Sequence, residues 1–449
     1  MTPERPPNFL FLFPDQWRWD WLGCEESPYG KVPVQTPNID QLASEGVRFS
    51  GCRSNSPVCA PARACLTLGA RYSNCQVPSN GFCTPVDRPN LFRTLQQAGY
   101  HTATCGKSDL FKPMKEPTQT GYLPVMEALG FSDGIDHRGK GDAISRARRG
   151  VDEPYTLMLR ERGHLQTHLD DHPQQALGRA AYPTPLPRDC YTDDFCGQNA
   201  VTLLERTPEG QPWCLWVNFP GPHDPYDPPA EQLSRYEGVE FPAAINPSEE
   251  VPAYRNARVD RLHYAACCSN IDDWVGRIID AVEKRGDREN TIIIFASDHG
   301  EMLGDHGRWT KSIWYEASIR VPLIMAGPGI QAGPHTATPV ELIDIAATIL
   351  DLAGQSVPEN WDAKPLTPTL RDPNLPHRDY AVSQLNGWRC VTNNEWKYVE
   401  RQEEGSLLYH LIDDPEETRN VIEDYPEQAG ELARVMEQDN PWMIQPPAQ

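Results

Sequence analysis

Several short segments, far apart in the 449-residue chain, hold residue types suited to hydrolytic chemistry: Asp15-Gln16, Cys59 with Arg63, His223, and Asp298-His299. Asp15, His223 and Asp298 each follow an apolar run that reads as a buried strand, and open α/β sheets gather ligands at the carboxyl ends of such strands. The oxygen donors Asp15, Gln16 and Asp298 suit a hard cation such as calcium or manganese, whereas His299 moves the balance towards a softer ion. A single Asp at a strand end says little, because such residues commonly cap helices. The stretch Ser56 to Arg63 says more. It sets a cysteine, a proline and an arginine at fixed intervals before a helix, and Arg63, four residues on, faces back to residue 59 from the first helical turn.

Cys59-Ala60-Pro61-Ala62-Arg63 resembles the Cys-x-Pro-x-Arg signature of sulfatases, members of the alkaline phosphatase superfamily. In that family the cysteine is oxidised after translation to formylglycine, whose hydrate is the nucleophile. Further matches follow in the family's order: Asp15-Gln16, Gly106-Lys107, Gly221-Pro222-His223, Asp298-His299-Gly300, and Lys311 ahead of Tyr315-Glu316. The tail from Leu408 to Glu417, with Asn420 after it, resembles the family's C-terminal motif, so the resemblance spans nearly the whole chain.

The resemblance implies one divalent cation, calcium ahead of manganese, held by Asp15, Gln16, residue 59, Asp298 and His299. It implies that Lys107 and Lys311 hold the sulfate and assist the leaving group, that Asn80 adds a neutral donor, and that His223 protonates the departing alcohol or phenol. In the implied cycle residue 59 attacks sulfur in line, and the hemiacetal sulfate then expels sulfate and regenerates the aldehyde. A formylglycine-generating enzyme is an implied partner during maturation. One position departs from the pattern: many sulfatases read Gly-Lys-x-His, and here Asp109 stands for the histidine. Asp109 is expected in the substrate site, as a carboxylate able to take the hydrate's proton. Asp15-Gln16-Trp17-Arg18 in place of an Asp-Asp pair is similar to choline sulfatases and phosphonate monoester hydrolases. A phosphonate monoester or phosphodiester is therefore the alternative substrate, and a noncatalytic anion-binding relative the remaining alternative. Lys112, Lys115, His101, His306 and Lys397 are left without a role, because surface lysines and cap-forming histidines are common.

The elements that must position these residues read as α/β. Strands are expected at Asn8 to Phe13, His101 to Cys105, Trp213 to Phe219, Thr291 to Ala296 and Val321 to Ala326. Helices are expected at Asn38 to Gly46, Arg63 to Arg71, Asn90 to Gly99, Arg258 to Lys284 and Glu341 to Leu352. This alternation predicts a large, mainly parallel sheet flanked by helices, alkaline phosphatase-like by the resemblance. Periodicity fades from Gly134 to Asp189, where Arg146, Arg148 and Arg149 form a basic patch near His164, His168 and His172. That segment is expected to be an insertion shaping a substrate pocket. Short alternating runs at Tyr380 to Gln384, Trp388 to Thr392, Trp396 to Glu400 and Leu407 to Leu411 predict a small C-terminal antiparallel sheet. The expected division is a catalytic domain over 1–355 and a C-terminal subdomain over 356–449.

The net charge of −22, from 63 acidic and 41 basic residues, repels nucleic acid and anionic membranes, so an anionic substrate needs a local cluster of cations. The apolar run Phe9 to Phe13 is too short for a signal-peptide core or a membrane span, so a cytoplasmic location is expected. Thirteen cysteines at spacings unlike a zinc site are expected to be mostly reduced and buried. The substrate class is a small-molecule or saccharide sulfate ester; its leaving group and any homo-oligomer stay open.

Overall fold

The computed structural model describes residues 5–443 except 28–29, 115–120, 172–179 and 253. Its strands are β1 (Asn8–Leu12), β2 (Gly46–Phe49), β3 (Cys52–Arg53), β4 (His101–Gly106), β5 (Asp133–Asp136), β6 (Trp213–Asn218), β7 (Thr291–Ala296), β8 (Leu323–Ala326), β9 (His335–Thr336) and β10 (Val340–Glu341). Eight of them form the central sheet in the order β5-β4-β6-β1-β7-β8-β2-β9. From β5 to β7 all neighbours are parallel, whereas β8 runs antiparallel to both β7 and β2. The expected mainly parallel sheet is therefore present, with the predicted Val321–Ala326 strand observed as β8, reversed relative to β7 and lying between β7 and β2.

The central strands read as unbroken apolar runs because both faces of the sheet are covered. Leu10 and Leu12 of β1, Leu215 and Val217 of β6, and Ile293 and Phe295 of β7 enter one core. That core is roofed by the helices Thr192–Arg206 and Ala257–Lys284. Phe9, Phe11, Cys214, Trp216, Ile292 and Ile294 point into the other core, against Leu91–Gln97 and Asp344–Leu352. All these strands deliver their carboxyl ends to one edge, where the loops with Asp15, Lys107, His223 and Asp298 begin.

The Gly134 to Asp189 segment is more regular than its sequence suggests. It holds β5 and short helices at Lys140–Ala147, Pro154–Glu161 and Leu165–Asp171, packed around the buried Tyr155. The expected basic patch does not gather: Arg146 and Arg148 donate to the carbonyls of Met114 and Leu169, and Arg149 to Ser145 O. His168 packs edge-on against Tyr155, and His172 lies outside the described residues. The segment still bears on the site through Gly139, where an added Cβ would lie 2.9 Å from Lys107 Cε.

Beyond residue 356, β11 (Ala381–Leu385), β12 (Trp388–Thr392), β13 (Trp396–Arg401) and β14 (Gly405–His410) form the expected antiparallel sheet. The helix Pro426–Asp439 covers one face of it. Buried Lys397 on β13 bonds Glu417 (2.6 Å) and Glu316 (2.7 Å), and Arg53 on β3 reaches Glu316 from the other side (2.9 Å). Glu417 also accepts the Glu316 N–H, so the tail motif anchors the loop that carries Lys311. Among the described residues no helix is long and apolar enough to cross a membrane, and all thirteen cysteines are free thiols.

Glu153 steadies the turn next to Gly139 by accepting the Arg138 N–H at 2.6 Å and capping Pro154–Glu161. Burial pushes its carboxyl from the ordinary 4.5 up to about 8, against the pull of that N–H. A carboxyl with a raised folded pKa holds an extra proton in the native state, so its contribution is full below about pH 4.5 and is lost as the pH rises through 8. Glu153→Gln is expected to flatten the fall of Tm across this window in a pH series; an equal fall in variant and parent would refute the assignment.

Candidate active site

The site is assembled where the ends of β1, β6 and β7 are stitched together. The Asp15 N–H bonds the carbonyls of Phe219 and Gly221, each at 3.0 Å, which ties the loop after β1 to the loop after β6. Ser297, directly after β7, donates to Pro14 O (2.9 Å) and accepts the Trp17 N–H (2.8 Å). Gln16, in the left-handed region at φ 68°, donates its N–H to Asp298 Oδ1 at 2.9 Å. These bonds hold two buried carboxylates side by side.

Cys59 opens the helix Cys59–Leu68 after an extended Val58. The helix has no side-chain cap of its own, and Asn80 supplies one by accepting the Ala60 N–H at 3.0 Å. Asn80 was expected to donate to substrate, a role for its amide nitrogen; its oxygen fixes the first turn that presents residue 59. The Cys59 sulfur lies 3.7 Å from Asp15 Oδ1, 3.3 Å from His299 Nε2 and 3.3 Å from Lys107 Nζ. Burial and Asp15 push this thiol up, but Lys107, Lys311 and His299 outweigh them and hold it well below the ordinary thiol value.

Donor atoms of Asp15, Cys59, Asp298 and His299 all lie within 4.8 Å of one another, and all four residues are buried. His299 Nδ1 contacts Gly300 O at 3.1 Å, which makes Nδ1 the protonated nitrogen and leaves the lone pair of Nε2 facing the cluster. Two carboxylates, an imidazole nitrogen and residue 59 fit a divalent cation chemically. Gln16, expected as a further ligand, has its side-chain oxygen accepting from Lys311 and its amide group donating to Glu301, so it joins the Asp15–Asp298 cluster to the opposite wall.

Arg63 is wholly buried and spans the cluster. Nε donates to Asp298 (3.0 Å), Nη2 to Asp15 (3.2 Å), and Nη1 to Lys107 O and Asn218 Oδ1 (both 2.7 Å), while the guanidinium lies over Phe13 at 5.0 Å. Lys107 also pairs with Asp15. Across the site Lys311 Nζ is 2.6 Å from His223 Nε2, and His223 Nδ1 is held by Asp224 O (2.8 Å) and Oδ1 (3.1 Å). Burial and Lys311 depress His223, but Asp224 and residue 59 outweigh them and raise it to about 9. Lys311 stands between Thr310 (φ 64°) and Ser312 (φ 77°), a turn unfavourable for both residue types. Glu301 holds that turn by accepting the N–H groups of Thr310 (2.5 Å) and Leu303 (3.0 Å).

Residues 7–355 match the family model described as Sulfatase. The chain belongs to the sulfatase family. Residues 304–439 of this sulfatase also match the model described as N-sulphoglucosamine sulphohydrolase, C-terminal. It is 30% identical to the choline-sulfatase of Rhizobium meliloti (strain 1021), over 93% of this chain and 82% of that protein. Its fold superposes on the phosphonate monoester hydrolase of Agrobacterium radiobacter with a TM-score of 0.81 at 24% identity, covering 98% of this chain and 96% of that one. A protein solved with its substrate D-glucosamine-2-N,6-O-disulfate matches with a TM-score of 0.76 at 22% identity, covering 97% of each chain.

The sulfatase brings its distant motif residues Asp15, Gln16, Cys59, Arg63, Lys107, His223, Asp298, His299 and Lys311 into one site. Asp109 lies in the same wall but is not poised as a base. It pairs with Lys112 at 2.7 Å and Lys107 at 3.4 Å, and although burial opposes ionisation, these two ammonium groups hold its carboxyl well below the usual range. Lys112, left without a role by the sequence, is thereby joined to the same wall. Sequence reasoning also missed Asn218, Asp224, Glu301 and Ser297. Glu301 and Ser297 flank the recognised Asp298-His299-Gly300 motif, and Asp224 follows His223, so adjacency was the signal available.

Arg63→Met would leave Asp15 and Asp298 facing each other without the guanidinium, and breaking a buried pair in this way costs about 3–5 kcal/mol. Chemical denaturation should show that loss, partly recovered by millimolar calcium or manganese. Wild-type stability in the variant, with or without cation, would refute the clamp.

Proposed function

We propose that this sulfatase cleaves a sulfate monoester with residue 59, oxidised from Cys59 to formylglycine, as its nucleophile. Asp15, residue 59, Asp298 and His299, with Gln16 beside them, would hold one divalent cation, calcium ahead of manganese. The observation that carries the reading is that residue 59 shares one buried cluster with two carboxylates and an imidazole, with Lys107 in contact with it and the charge of Lys311 also bearing on it. When bound, the cation would offset the paired carboxylates and lower the pKa of an oxygen on residue 59.

The remaining work falls to side chains. Lys107, 3.3 Å from the residue 59 sulfur, is placed to hold an anionic ester oxygen next to the nucleophile. Arg63 keeps the acidic ligands in register without touching substrate. At the far wall His223 is a ready acid, because Asp224 fixes Nδ1 and favours the imidazolium, leaving Nε2 towards the site. As the sulfur–oxygen bond breaks, its electron pair goes to the alcohol oxygen, which takes the proton from His223 Nε2, with Lys311 offsetting the developing charge. The substrate is a small-molecule or saccharide sulfate, and a formylglycine-generating enzyme acts in maturation.

A second reading keeps this machinery and replaces sulfate by a phosphonate monoester or phosphodiester; the fold likeness to a phosphonate monoester hydrolase favours it. Lys107 in its sulfatase-like position favours sulfate. Peptide mass spectrometry at residue 59, with rates on an aryl sulfate and an aryl phosphonate monoester, separates the two. Conversion of residue 59 with faster sulfate release is expected; faster phosphonate cleavage would establish the second reading, and converted, metal-loaded protein that cleaves neither would overturn both. His223→Ala should cost about 10²–10⁴-fold on an alkyl sulfate and far less on 4-nitrophenyl sulfate, whose leaving group departs without a proton. Equal losses would remove His223 as the acid.

A further inference from the structure

A cavity of about 290 Å³ lies where Trp19, Ser50 and Arg320 meet the C-terminal residues Asn394, Leu411 and Ile412. None of the residues assigned above to the reaction lines it. Its position follows from the chain. The Arg320 N–H bonds Glu316 O (2.9 Å) and the Val321 N–H bonds Cys52 O (3.0 Å), which pins the Arg320 backbone beside Arg53 just ahead of β8. From there the guanidinium lies over the indole of Trp19, 3.5 Å from the ring centre. Trp19 is itself buried, so stacking fixes the plane of the guanidinium.

Arg320 differs from the other arginines near it in having idle donors. Nε is buried without a hydrogen-bond partner, and among the described residues neither Nη1 nor Nη2 forms a hydrogen bond. The nearest carboxylate oxygen, Glu316 Oε2, is 3.9 Å from Nη1 and is already held by Arg53 Nη2 at 2.9 Å, while Lys397 takes Glu316 Oε1 at 2.7 Å. Glu25 and Asp20, whose charges also bear on Arg320, pair with Arg48 (3.3 Å) and Arg18 (2.7 Å). The Arg320 side chain is 19% exposed and lines the cavity, so with Nε buried its terminal Nη groups are what it presents there. A guanidinium held flat and short of acceptors suits a carboxylate, which its parallel N–H groups bind as a fork.

The rest of the wall narrows the choice of ligand. Its other polar groups are engaged: Arg53 Nη1 donates to Gly51 O (2.9 Å) and Asn394 Oδ1, Asn394 Nδ2 donates to Ala337 O, and Ser50 Oγ lies 2.7 Å from His335 Nε2. A single guanidinium offsets a single negative charge, so a dianion such as inorganic sulfate would carry an uncompensated charge into the cavity. Leu411 and Ile412, the latter 67% exposed, make the opposite side apolar and suit the hydrocarbon body of an organic acid. The volume is that of a small-molecule site.

We propose that this cavity is a second ligand site, separate from the catalytic one, which binds a small organic monocarboxylate with its carboxylate on the Nη edge of Arg320 and its apolar body against Leu411 and Ile412. Such a ligand joins the residue ahead of β8 to the segment that follows β14, and so clamps the seam whose ion pairs anchor the loop of Lys311. Because it binds only where the two segments meet, it raises the stability of the folded chain.

The test follows 4-fluorobenzoate by fluorine NMR as the full chain is added, with Tm measured in parallel. The probe's line should broaden and Tm should rise, and excess inorganic sulfate, which fills the catalytic site, should reverse neither effect. Ile412→Asp, at a largely exposed position, sets a carboxylate at the mouth of the cavity and should abolish both effects while hydrolysis of 4-nitrophenyl sulfate is unchanged. Arg320→Lys keeps the charge without the fork and should weaken binding about tenfold. The uncharged analogue 4-fluorobenzyl alcohol should not bind. Displacement of the probe by sulfate, or full binding in Ile412→Asp, would overturn the proposal by placing the probe in the catalytic site or elsewhere on the surface. Equal binding of the alcohol would overturn it by removing Arg320 from recognition, and no binding of 4-fluorobenzoate at millimolar concentration would overturn it outright.

Discussion

The site depends on holding Asp15 and Asp298 together in a place that water does not reach. Two like charges in a buried region repel strongly, and neither is easily ionised unless cations stand against it. Arg63 meets this constraint with one planar fork that bonds both carboxylates, while its remaining donors take the carbonyl of Lys107 and the amide of Asn218. The geometry uses guanidinium directionality, which a lysine would not reproduce. Because Arg63 sits one helical turn after residue 59, the helix that presents residue 59 is locked to the two carboxylates.

The opposite wall is built on a different principle. Lys311 is carried by an unfavourable turn, and the turn persists because Glu301 accepts its N–H groups and because Glu316, a few residues on, is clasped by Arg53, Lys397 and Glu417. Three separated parts of the chain thus fix one ammonium group. Gln16 then links this wall to the cation cluster, with its backbone on Asp298 and its side chain between Lys311 and Glu301. Misplacing the C-terminal sheet would therefore be felt at Lys311 and Gln16.

The strong negative charge of the chain is compatible with an anionic substrate because the cations are concentrated where they act. Lys107, Lys311, Arg63 and His223 face one small volume, and their fields are screened little in a buried site. Asp109 alters this balance: its carboxylate takes up charge from Lys107 and recruits Lys112. The substrate wall is set by fixed ion pairs at that point, not by a group that exchanges protons near neutral pH.

Much of this was legible in the sequence for local reasons. Strands buried on both faces must be apolar throughout, so β1, β6 and β7 announced themselves, and the residues just beyond them had to converge at one edge of a parallel sheet. Cys59 and Arg63 stand one turn apart whatever the tertiary context. The helix Thr192–Arg206 was hidden because its buried face includes Asp193 and Asp194, which look solvent-exposed until Asp193 is seen accepting the Gly221 N–H and Asp194 bonding Arg188 and Asn270. The roles of Glu301, Asn218 and Asp224, the cap supplied by Asn80 and the diversion of Arg146 and Arg148 to backbone carbonyls were likewise undetermined. Each depends on a partner far away in the chain. Residue type, order and the ends of strands are local properties that the sequence by itself determined; which charge faces which, and which polar group lacks a partner, were decided only when the folded chain brought distant segments into contact.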